Sequence, residues 1–92
     1  MEQNVVDERP HRVRTRFELA AARLAESWIA GGRMDVSQAD MALATEFLVH
    51  SGWKVESLGA GRYRMVNRFG RAEELSREAA FMVALRRLAG RE

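Results

Sequence analysis

The chain has no cysteine, a single proline and a single lysine, and no apolar run approaches the ~18 residues that a membrane-spanning helix needs. Without cysteine, neither a disulfide framework nor a thiolate metal site can form, and a reducing bacterial cytoplasm is the expected setting. The N-terminal stretch MEQNVVDERPHRVR is polar and lacks the apolar core of a secretory signal, so no membrane association is expected. Catalytic side chains are equally scarce. His11 and His50 are the only histidines, and His50 and Ser51, adjacent at a helix end, point apart and cannot form a nucleophile and base. Glu46 and His50 stand four apart on one helical face, but a zinc ion would need a further ligand and none is evident. The run Gly59-Ala60-Gly61 lacks the spacing and the following helix of a phosphate-binding loop. No enzyme, no metal and no cofactor are expected.

What the chain does have is arginine. It carries fourteen arginines to one lysine within 92 residues, the codon habit of a GC-rich bacterial genome. The length suits one domain with a modest core: a loose arm over residues 1–9 and a folded body over residues 10–90. A net charge of +2 conceals an uneven distribution. Residues 9–16 (RPHRVRTR) and 62–71 (RYRMVNRFGR) each hold four arginines and no acid, whereas residues 34–52 hold Asp35, Asp40 and Glu46 with no lysine or arginine. An electrically polarised molecule is expected.

The stretch from Trp53 to Leu75 fixes its structure most firmly. Strand-like runs flank Gly59-Ala60-Gly61, which predicts a hairpin. With Leu58 opposite Arg62, Ser57 faces Tyr63, Glu56 faces Arg64, Val55 faces Met65 and Trp53 faces Asn67. Alternation then sends Trp53, Val55, Tyr63 and Met65 to a core face, and Lys54, Glu56, Arg62 and Arg64 to a wet one. Asn67 to Gly70 reads as a four-residue turn, after which residues 71–75 can return as a third strand with Glu73 beside Arg64. That register turns Glu74 inward and Leu75 outward, and a bulge at Gly70 would reverse both. Three helices surround this ribbon. The first runs from Pro10, or from Thr15 with Glu18 as a capping box, to Gly31 and Gly32, with Val13, Phe17, Ala21, Leu24 and Trp28 as its core stripe. The second starts near Asp35, capped by Asp35 with Gln38 or by Ser37 with Asp40, runs through Val36, Ala39, Leu43 and Phe47 to His50, and stops at Gly52. Ser76 caps the third, from Arg77 to Ala89, and Gly90 ends it. Its uninterrupted apolar run AAFMVAL places it in the middle of the fold or against a second copy through an Ala79 and Val83 face. The fold class is therefore α+β, in the order α, α, a β-hairpin or three-stranded antiparallel meander, α.

These features describe a non-enzymatic binding module. Lys54, Arg62, Arg64, Arg68 and Arg71 on the ribbon, with Arg12, Arg14 and Arg16 near the N-terminus, are the candidate partner-binding residues. A helix followed by a basic hairpin also suggests a small DNA-binding regulator, although the helix before the hairpin, residues 36–50, carries no lysine or arginine to meet phosphate. In size and in its lack of catalytic or ligand motifs, the whole chain resembles in kind the small inhibitors carried by phages and mobile elements, anti-CRISPR proteins among them, which share no common motif. The resemblance implies a protein or ribonucleoprotein partner, a CRISPR effector complex kept from its target DNA. The basic runs would meet acidic protein or guide RNA, or the acidic second helix would occupy a DNA channel.

Overall fold

The computed structural model describes residues 10–32 and 35–90, so the N-terminal arm lies outside the described residues. The elements follow as α1 (Pro10–Gly31), α2 (Gln38–His50), β1 (Lys54–Gly59), β2 (Arg62–Val66), β3 (Ala72–Ser76) and α3 (Arg77–Leu88). The three strands form an antiparallel sheet in the order β1-β2-β3. This is the α+β arrangement expected, with the third strand present.

Alternation sets most of the register. Val55 lies opposite Met65, Glu56 opposite Arg64 and Ser57 opposite Tyr63. At the hairpin tip the pairing shifts, and Gly59, not Leu58, faces Arg62. The reason is the turn: Ala60 and Gly61 have φ of 54° and 73°, the left-handed pair that a tight two-residue hairpin loop requires. The loop therefore takes only those two residues, and Leu58 is displaced outward, 44% exposed. The second turn is longer than four residues. Asn67 donates its amide to the Arg71 carbonyl at 2.9 Å, and Gly70, at φ 88°, donates to the Asn67 carbonyl at 3.0 Å. This extra residue puts Glu74 opposite Arg64, Glu73 opposite Met65 and Leu75 opposite Tyr63. Glu73 is thus not Arg64's neighbour, and the outcome is the reversal that a bulge at Gly70 brings. Leu75 packs on the core with Tyr63 and Val55, while Glu56, Arg64 and Glu74 form a row on the open face.

The helices stack on the inner face of the sheet in two tiers. α3 touches β2 and β3, α2 touches β1, and α1 rests on α2 and α3 without reaching the sheet. Phe17 of α1 stacks on Phe47 of α2, centroids 5.0 Å apart, and meets Phe81 of α3 edge-on at 5.2 Å. Met41, Leu48, Met65, Ala80 and Ala84 complete a single dry cluster. Much of the apolar run of α3 is met within the chain: Ala80, Phe81 and Ala84 are buried and Val83 and Leu85 pack partly on the core, while Ala79 and Met82 are half-buried.

Two stripes differ from expectation. α2 buries Met41, Ala44, Phe47 and Leu48, leaves Leu43 half-buried and exposes Ala39, because it is wedged between α1 on one side and α3 with β1 on the other. On α1 the stripe ends at Leu24, and Trp28 is 54% exposed. At a rise of ~1.5 Å per residue, the 22-residue α1 outruns the 13-residue α2 by about 13 Å, so its last turns extend past the helix that covers the rest of it.

The caps formed as their residue types require. Ser37 and Asp40 make a reciprocal capping box on α2, and Ser76 accepts from the Ala79 amide on α3. α2 ends in a glycine cap: Gly52, at φ 93°, donates to the Val49 carbonyl and Trp53 to the Leu48 carbonyl. That cap delivers Trp53 to the edge of the core, where the site begins.

Candidate functional site

The chain folds so that its charges sort by end. Arg14 donates from Nη2 to the Leu88 carbonyl at 3.3 Å, which places the start of α1 beside the finish of α3. The Gly52 backbone lies against Arg68, with a Cβ-to-Cβ distance of 3.5 Å for any side chain added there, so the β2–β3 turn sits beside the C-terminus of α2. Arg86 and Arg87 occupy the last turn of α3 and reach the same turn. One end of the molecule thus gathers Arg12 and Arg14 from α1, Lys54 from β1, Arg68 and Arg71 from the turn, and Arg86 and Arg87 from α3. Arg62 lies about 13 Å up β2 from that end, at ~3.3 Å per strand residue, and Arg64 lies mid-sheet between Glu56 and Glu74.

Within this arginine end is a cleft of about 320 Å³. Trp53, Val83 and the β2–β3 turn enclose it, with Phe69, Arg71, Glu73, Arg86 and Arg87 around its walls. The turn is held firmly. The Asn67 Oδ1 accepts from the amides of Phe69 and Arg71, each at 2.9 Å, which fixes both side chains on a rigid loop. Phe69 is 79% exposed and carries the Arg68 guanidinium 5.4 Å from its ring centre. The indole Nε1 of Trp53 is buried with no hydrogen-bond partner among the described residues. A buried N–H of this kind normally finds an acceptor.

The ion pairs divide the expected binding residues. Arg14 pairs with Glu18 at 3.3 Å and Arg16 with Glu46 at 3.4 Å. Both belong to α1, as does Arg12, and not to a free arm. Among the described residues, Arg12, Lys54, Arg62, Arg64, Arg71 and Arg86 make no ion pair. Glu56 and Glu74, directly across the strands from Arg64, offset its charge without touching it. Arg71 and Arg86 are therefore the cations at the cleft most open to an external anion.

α1 is charged against its own dipole. No acid stands in its first turn and no base in its last, while Arg12 and Arg14 stand near the positive end. For Arg12, in the first turn, such placement costs about 0.3–1 kcal/mol, whereas Arg14 is offset by Glu18.

The acidic run of the sequence does not become an acidic surface. Asp40 is buried, accepts from the Ser37 amide at 3.2 Å and the Ser37 hydroxyl at 2.9 Å, and pairs with Arg23 of α1. Glu46 is taken by Arg16. Helix α2 therefore presents Gln38, Ala39, Ala42, Val49 and His50 to solvent beside the half-exposed Glu46, and the picture of an acidic helix entering a DNA channel loses the Asp40 carboxylate. Asp40→Ala, which removes the cap acceptor and the arginine pair together, should cost about 2–3 kcal/mol in urea unfolding. Asp40→Asn keeps an acceptor for the Ser37 amide and should cost about 1 kcal/mol; equal losses in the two variants would show that the retained acceptor contributes nothing and that the charge carries the whole effect.

Sequence reasoning missed Phe69 and Arg86 as site residues, and Trp53 as more than core. One signal was available. A five-residue strand and a twelve-residue helix both span about 17 Å, so α3 must return its last turn, with Arg86 and Arg87, to the turn where β3 began. Among the described residues, no cluster of metal-ligating side chains occurs and no helix is long and apolar enough to cross a membrane. Set beside known proteins, the chain matches no family model, no curated protein and no solved structure.

Proposed function

We propose that the chain is a non-enzymatic binding protein of the bacterial cytoplasm that regulates a macromolecular partner by docking its arginine end on a polyanionic surface. The observation that supports this reading is the convergence of Arg71 and Arg86, from different elements, on one cleft, with no ion pair to either among the described residues. Convergent cations steer and hold a polyanion, whereas scattered ones do not. In the form implied by resemblance to anti-CRISPR proteins, the partner is a CRISPR effector complex, the polyanion is its guide RNA, and the outcome is that target DNA is kept off.

A small DNA-binding regulator is the second reading, favoured by the exposed wing Arg68-Phe69-Gly70-Arg71. One experiment separates the two. Purified chain is titrated into a guide-loaded CRISPR effector complex while target-duplex binding is followed, and into the duplex alone. Loss of target binding near stoichiometric addition, with no retardation of the bare duplex, supports the inhibitor. Retardation of bare duplex with a steep salt dependence supports the regulator. If neither occurs, both readings fall.

A further inference from the structure

The cleft at the arginine end has the chemistry of a seat for one unpaired nucleotide, and we infer that the polyanion the protein meets there is single-stranded nucleic acid. This rests on the polyanion reading above and narrows it. A cleft of about 320 Å³ lies at the small end of the range for ligand pockets, enough for a single base and its phosphate. Its apolar side is made by Trp53 and Val83, and Phe69 stands at its mouth, 79% exposed. A base inside a duplex hides both of its faces in the stack, so only an unpaired base offers a flat π-surface to such a ring. Arg71 and Arg86, from opposite walls, hold the phosphate. Glu73 repels it from the β3 wall and instead accepts from a base N–H, which orients the nucleotide. The asymmetry of the walls, cationic on two sides and aromatic with one carboxylate on the others, matches a nucleotide better than a bare phosphate, which would gain nothing from Phe69.

The test is fluorescence anisotropy with a labelled oligodeoxyadenylate of about ten nucleotides and a labelled duplex of the same length, against the wild-type chain and Phe69→Ala. The expected result is tighter binding of the single strand than of the duplex. Phe69→Ala should lower single-strand affinity on the order of tenfold, the loss of one base-aromatic stack, and leave duplex affinity unchanged. Phe69 is mostly exposed, so the variant should keep the wild-type circular dichroism and urea midpoint. Equal binding of strand and duplex, or a Phe69→Ala variant that binds the single strand as well as wild type, overturns the inference and leaves the polyanion reading to the effector titration. Absence of binding to either oligonucleotide overturns it as well.

Discussion

Phe17→Ala should abolish the stable fold at physiological temperature. Phe17 is the largest of the side chains that α1 buries against α2 and α3: fully buried, it stacks on Phe47 at 5.0 Å and meets Phe81 at 5.2 Å. Its truncation removes the buried ring and leaves a cavity that three rigid helices cannot collapse, at a cost of about 3–5 kcal/mol. Two aromatic contacts are lost with it, each worth about 0.5–1.5 kcal/mol beyond the buried area. Total stability for a small domain is about 5–15 kcal/mol, and a chain of 92 residues sits toward the lower end. Urea titration followed by circular dichroism should show the midpoint falling to a small fraction of the wild-type value. Phe17→Leu, which keeps much of the volume, should retain a cooperative transition. A Phe17→Ala midpoint close to wild type would mean that α1 is not held by this contact and that the two-tier packing is misjudged.

How far the sequence could be read depended on whether a local rule was left to act alone. The pairings of Val55, Glu56 and Ser57 with Met65, Arg64 and Tyr63 follow from alternation, because a slip of one residue would expose Val55 and Met65 together. The displacement of Leu58 did not follow. It depends on which of two loops the Gly59 to Gly61 run adopts, and glycine permits both. Ser37 with Asp40, Gly52 and Ser76 were legible as caps because each satisfies a local backbone demand. Trp28 misled because a helical stripe gives direction without saying where the partner helix stops. The face of α2 was misread for a related reason: an element wedged between two neighbours buries a broad arc, and periodicity then loses its phase.

The arginines were legible as residues and not in their placement. Two arginine runs announced a cationic surface, yet each run was split by the fold. Arg16 turned to Glu46, Arg62 went to the far end of β2, and Arg64 settled between two glutamates. Among the described residues of the two runs, Arg12, Arg14, Arg68 and Arg71 reached the common end, joined there by Arg86 and Arg87 of α3, for which sequence alone indicates no role. Charge placement is decided by topology, which a linear count cannot contain.

Reversing charge at this end should have the largest effect on binding. Arg71 and Arg86 make no ion pair among the described residues, so Arg71→Glu with Arg86→Glu breaks no internal ion pair; a carboxylate in the last turn of α3 opposes the helix dipole, and stability in urea should fall by about 1 kcal/mol or less. It replaces two cations that line the cleft with two anions. The control is Arg62→Glu with Arg64→Glu on the open sheet face. Each double reversal takes the net charge from +2 to −2, so long-range repulsion is matched and only location differs. The decisive measurement is the affinity of these two variants for one labelled oligonucleotide at ~0.1 M salt, side by side with wild type. The expected result is a loss of about 100-fold or more for the Arg71 and Arg86 variant and under about tenfold for the Arg62 and Arg64 variant. Equal losses, or a larger loss from the sheet face, would contradict a binding site at the arginine end.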